Sequence, residues 1–111
     1  MEKFTLELDY FTEENCSFEM AYYSEPKNPA LLIKGANGER IAVASVNPPN
    51  KMPDGCIAVK NWSENSGMDT FLKKMGIIEE TPLCQLSSGF VQIPVYLLTK
   101  EGKKLYNGVN K

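Results

Sequence analysis

Ala30-Leu31-Leu32-Ile33-Lys34-Gly35-Ala36-Asn37-Gly38-Glu39-Arg40-Ile41-Ala42-Val43-Ala44-Ser45-Val46 is the stretch on which the reading of the fold turns. Two apolar or β-branched runs, 30–34 and 40–46, flank a glycine-rich connection in which Asn37-Gly38 supplies the positive-φ residues that tight hairpins need. The segment reads as a β-hairpin. Upstream, Phe4, Leu6, Leu8 and Tyr10 alternate with polar residues, and Phe18, Met20 and Tyr22 alternate with Ser17, Glu19 and Ala21. A two-residue period is that of a half-buried strand, so a first hairpin is expected, closed by residues 12–15. Pro26, Asn28 and Pro29 then end the second strand, because proline has no amide to donate to a ladder.

Downstream, Asn47-Pro48-Pro49-Asn50 stops the fourth strand and Pro53-Asp54-Gly55 makes a turn into a short strand, 56–60. Trp62 extends the Cys56, Ala58, Lys60 face and is placed to cap the core where strand hands over to helix. The one strong helical pattern covers 64–75, with Met68, Phe71, Leu72 and Met75 at i, i+3, i+4 and i+7. Ser63 is its expected cap, with Ser66 as the alternative start, and Gly76 fits the left-handed position after the last turn, with Ile77 placed to touch that turn. Residues 84–89 read as a polar loop and 89–98 as the last long strand; Pro94 directs that strand to a sheet edge or a bulge. Thr99 is placed to cap a short helical turn through Leu105 and Tyr106.

The order ββββ-β-α-β predicts an α+β fold: a curled, largely antiparallel sheet of five to six strands, with one principal helix on one face and a short C-terminal helix. A helix is ~10 Å across, whereas six strands at ~4.8 Å span more than twice that. The sheet must therefore curl, split, or leave apolar area for a partner. The 111 residues suit a single domain spanning 1–111.

Composition narrows the chemistry. The chain has no histidine, which removes Ser-His-Asp, Cys-His and His-metal constellations together. Twelve Lys and Arg against 14 Asp and Glu give a net charge of −2, against the basic surplus a general nucleic-acid binder needs. There is no apolar run of signal-peptide or membrane-span length in the sequence, so a cytoplasmic protein without membrane contact is expected. Cys16, Cys56 and Cys84 form no CxxC pair and read as reduced, small core or near-core residues.

The acidic pairs Glu13-Glu14, Glu79-Glu80 and Glu7/Asp9 read as solvent faces, since adjacent strand residues point to opposite sides. No GxGxxG or GxxxxGK[ST] motif occurs. Asn61, Glu64, Asn65 and Asp69 come nearest to an oxygen-ligand set, but their spacing matches no calcium loop. Cys84 and Ser87 would need a lysine or amine base, and no lysine lies nearby. No catalytic residue, metal or cofactor is expected.

Aromatics are the more suggestive feature. Tyr22-Tyr23 puts adjacent rings on opposite faces of one strand, and Tyr22, Tyr23 and Trp62 with the acidic neighbours Glu13, Glu14 and Glu19 form the expected partner-binding set. The alternative is a nucleic-acid-contacting tail built on Lys100, Lys103 and Lys104, with Lys111 beyond them.

From Ala30 onward the chain resembles a family of small proteins of bacterial conjugative elements and phages, domain of unknown function 4313. The resembling features are the strand-turn-strand of 31–46, the Ser45-Val46-Asn47-Pro49 exit and the helix start at Ser63-Glu64-Asn65-x-Gly67-Met68. Gly76-Ile77, Ser88-Gly89-Phe90 and Pro94-Val95-Tyr96-x-Leu98 complete them, and together they cover about two thirds of the chain. The resemblance implies an accessory role on a mobile element and no catalytic residues. It points to a non-enzymatic module that binds a host or element-encoded protein, or a second copy of itself. Inhibition of a host defence protein, in the manner of anti-CRISPR or anti-restriction proteins, is the expected activity.

Overall fold

The computed structural model describes residues 3–105. In chain order these form β1 (Phe4–Glu7), β2 (Thr12–Tyr22), β3 (Pro29–Lys34), β4 (Arg40–Val43) and β5 (Cys56–Ala58). A 3-10 turn (Ser63–Asn65) and α1 (Met68–Lys74) follow, then β6 (Cys84–Ser88), β7 (Val91–Leu97) and α2 (Lys100–Lys104). The α+β class and the antiparallel pairing are as expected, but the single curled sheet of five to six strands is not what forms. The seven described strands divide into a four-stranded meander, β1-β2-β3-β4, and a three-stranded sheet ordered β5-β7-β6. The split falls where Pro48, Pro49 and Pro53 interrupt donors between β4 and β5; an isolated Ser45–Val59 bridge joins the two extensions.

The β3–β4 hairpin forms at the expected place, with Gly35 N donating to Glu39 O at 2.8 Å. Gly38, not Asn37, takes the positive φ of 80°. The first hairpin turns earlier than expected: Leu8 N donates to Phe11 O, so residues 12–15 are strand, and Asn15 at φ 59° lies in a bulge between the Phe4–Cys16 and Leu6–Glu13 pairs.

The strand period puts Cys16, Phe18, Met20, Leu31 and Ile33 on the inner face of the meander, packed with Met68, Phe71 and Leu72 of α1 and with Ile57 and Tyr96 of the other sheet. α1 is shorter than its periodic pattern, and neither serine caps it. Ser63 lies in the 3-10 turn, and Ser66 Oγ instead donates to Asp9 Oδ2 at 2.6 Å. Gly67 begins the helix at φ 94°, where an added Cβ would meet Asp9 Oδ1 at 2.8 Å. The C-terminus closes as expected: Gly76 N donates to Lys73 O and Ile77 N to Leu72 O, the two bonds of a left-handed cap.

Two sequence expectations about the last hairpin are overturned. Residues 84–88 are a strand rather than a loop, and β7 is the central strand of its sheet although it contains Pro94. The proline is tolerated because its carbonyl accepts from Val59 N, so its ring nitrogen faces the same side, where the β5 ladder has ended at the Ala58–Val95 pair.

The outer side of this sheet has its own small core, Met52, Cys56, Ala58, Ile93 and Val95, with Trp62, Leu86 and Val91 packed against it. Asn28 holds the loop that delivers Met52: its Nδ2 donates to Asn47 Oδ1 (2.9 Å) and Asn50 O (3.1 Å), and its Oδ1 accepts from Met52 N (2.6 Å). Thr99 caps α2 as expected, accepting from Gly102 N. Tyr106 and Lys111 lie outside the described residues. Among the described residues no helix is long and apolar enough to cross a membrane.

Candidate protein-binding surface

The structure scatters the aromatic and acidic set. Tyr22 is the last residue of β2, half exposed at the rim, and Tyr23 lies just past the end of the strand rather than on its opposite face. The Tyr23 hydroxyl lies 3.2 Å from both Ser45 O and Ser45 Oγ, which ties its ring to the end of the β3–β4 hairpin. Glu19 pairs with Lys34 at 3.3 Å across the outer face of the meander. Glu13 and Glu14 are strand residues beside the bulge, and Trp62 is half-buried against the second core. Lys100, Lys103 and Lys104 are exposed on α2, where Lys104 pairs with Glu101 at 3.0 Å.

Of the aromatic set, only Tyr23 lines the cleft of about 390 Å³ beside β4, with Phe11, Ile41, Val43, Lys60 and Glu64. Lys60 Nζ donates to Glu64 Oε2 at 2.6 Å, and that hydrogen bond holds the exposed Glu64 carboxyl down at about 2. Asn65 lies against the end of β4, its buried amide donating to Val43 O at 2.7 Å. Asp69 accepts from Asn61 Nδ2 and from Tyr96 OH, each at 3.2 Å. Burial raises the Tyr96 hydroxyl above its ordinary value, with Lys73 5.1 Å from its ring. Asn61, Glu64, Asn65 and Asp69, the nearest approach to an oxygen-ligand set, are thus engaged in bonds that hold the segment between β5 and α1.

The hairpin of β6 and β7 is different in kind. Residues 81–99 carry no Asp, Glu, Lys or Arg. β6 is the edge of its sheet, and four of its five residues, Leu86 excepted, are exposed. Gly89 at φ 61° makes the two-residue turn, which leaves Phe90 fully exposed at the tip; Leu83 and Leu97 are also exposed. Cys84, read from sequence as a core or near-core thiol, is exposed because it lies on this edge, whereas Cys16 and Cys56 are buried and burial pushes both thiols up.

Pro94 sets the direction of the edge's hydrogen-bonding groups. Since Pro94 faces β5, its neighbours Ile93 and Val95 face β6, and their register partners Leu86 and Cys84 face back. The backbone N–H and C=O of Gln85 and Ser87 therefore point away from the sheet. Natural edges are usually blunted with charge, proline or a covering element; β6 itself has neither charge nor proline. The signal was present in the sequence as the uncharged run, but reading 84–89 as a loop hid it.

Comparison of the chain with protein-family models, curated proteins and solved structures finds no match. The resemblance expected from the residues quoted above therefore has no matching family model beside it.

Proposed function

We propose that this chain is a non-enzymatic protein-binding module that engages its partner by strand addition at β6, with Phe90 as the apolar anchor. The observation that carries this reading is the uncharged, exposed edge strand ending in a fully exposed phenylalanine. Main-chain donors and acceptors on such an edge supply affinity, and alternate side chains supply specificity. An aromatic ring at the tip adds an anchor that loses its water on docking. Support for the class of partner comes from the sequence resemblance, which makes it a host or element-encoded protein; blocking a host defence protein is the activity that fits a small module with no expected catalytic set.

The test is affinity capture from host lysate with the wild-type chain, Ser87→Pro and Phe90→Ala in parallel. Ser87 directs its amide outward, so proline there removes an edge donor while leaving the backbone bonds to β7 in place and giving up only the exposed side-chain bond from Gln92 Nε2 to Ser87 Oγ at 3.0 Å. A protein retained in stoichiometric amount by the wild type and lost by both variants is expected. Equal retention by all three chains overturns the reading.

A further inference from the structure

We infer that in the free protein the β6 edge is occupied by a second copy of the chain, paired antiparallel about a two-fold axis through Leu86; this rests on the strand-addition reading and names the occupant in the absence of another partner.

The argument begins with phase. Gln85 and Ser87 present the outward backbone groups, and Leu86 lies between them with its own groups committed to Ile93. A two-fold axis at Leu86 sets Gln85 opposite the partner's Ser87 and Ser87 opposite the partner's Gln85. Each of these pairs exchanges both of its N–H···O bonds, so all four outward donors and acceptors of those residues on each copy are used. Leu86 then faces the partner's Leu86 as a non-hydrogen-bonded pair, the closer kind, with Cβ atoms ~4.5–5.5 Å apart. Both leucines lie on the side of the small core formed by Ile93 and Val95, which extends across the joint.

Side chains agree with this register. Cys84 falls opposite the partner's Ser88, and Gln85 opposite the partner's Ser87, so no like charges meet. Two copies of a chain with net charge −2 repel in general, and the uncharged span 81–99 is where they can approach without that cost. The same operation runs the Phe90 tip of one copy along the start of the partner's β6, where Leu83 is exposed. One symmetry operation thus pairs the open edge and brings together two exposed apolar side chains.

Sedimentation and light scattering on the purified full chain, across the micromolar range, test the proposal. Twice the chain mass of 12.4 kDa is expected for the wild type, and a monomer with unchanged far-ultraviolet circular dichroism for Ser87→Pro. Register is tested in a Cys84→Ser background. Leu86→Cys should give a disulfide-linked dimer on mild oxidation, because residues about the axis have Cα atoms within bridging distance, whereas Ser87→Cys, opposite Gln85, should not. A wild-type monomer at every concentration, a dimer unaffected by Ser87→Pro, or equal cross-linking at both positions overturns the inference. A wild-type monomer whose Ser87→Pro variant still loses the captured protein overturns the second copy alone and leaves strand addition standing. A dimer lost in Ser87→Pro, with the captured protein retained, overturns the heterologous reading alone.

Discussion

The two sheets of this molecule treat their edges in opposite ways. In the meander, the buried amide of Asn65 meets Val43 O at the end of β4, the outer face is tied by Glu19 and Lys34, and β1 is linked to α1 by Glu7 and Lys74 at 3.0 Å. In the three-stranded sheet, β6 has no charge and leaves Gln85 and Ser87 directed outward. An edge met by a buried amide contributes to folding, and an open one is available for association. Changes on the meander side should therefore be read in stability, and changes on the open side in binding.

The largest effect is expected at Asn28. Replacing it by alanine leaves Met52 N and the carbonyl-rich 47–52 loop without their buried partner, and should lower unfolding free energy by about 3 kcal/mol in urea titration. A loss under about 1 kcal/mol would mean the loop is held by its prolines instead. Asn65→Ala should follow at about 2 kcal/mol, because Val43 O is left unmet at the end of β4.

Ser87→Pro is the direct counterpart on the open edge. It should change unfolding free energy by less than about 1 kcal/mol while removing association. If it destabilises the chain as much as Asn65→Ala, the contrast between the edges fails.

The smallest effect concerns pH. The Lys60 ammonium holds Glu64 at about 2 against an ordinary value of 4.5, so the stability this pair contributes is present above 4.5 and is lost as pH falls from there toward 2. The carboxylate is exposed, and salt screens the contribution. Thermal unfolding of Glu64→Gln should show a shallower acid limb than the wild type at low salt and the same limb at high salt. Identical limbs at both would show that the hydrogen bond does not couple to folding.

Local patterns determined much of the fold. The two-residue period marked β1 and β2, the apolar runs about the Asn-Gly connection located the second hairpin, and the i, i+3, i+4, i+7 spacing placed α1 with Gly76 at its end. Those features act over a few residues, through φ preferences and the side on which a side chain is buried, so they can be read without the rest of the chain. The aromatic and acidic set was legible only as a set of residue types. Whether Tyr23 is a binding ring or a tether depends on Ser45, 22 positions away.

The division into two sheets, the central position of β7 and the edge position of β6 were decided by tertiary structure. Strand order is set by which ladder buries its apolar face against α1 and which against Met52 and Trp62, contacts between residues far apart in the chain. A proline in β7 pointed from sequence toward an edge; in the fold it faces the end of β5, where no donor is required, and so fixes which atoms of β6 look outward. The absence of charge from 81 to 99 belongs to the sequence. That β6 is exposed follows from the packing of β7 between β5 and β6, which covers one side of β6 and leaves the other open.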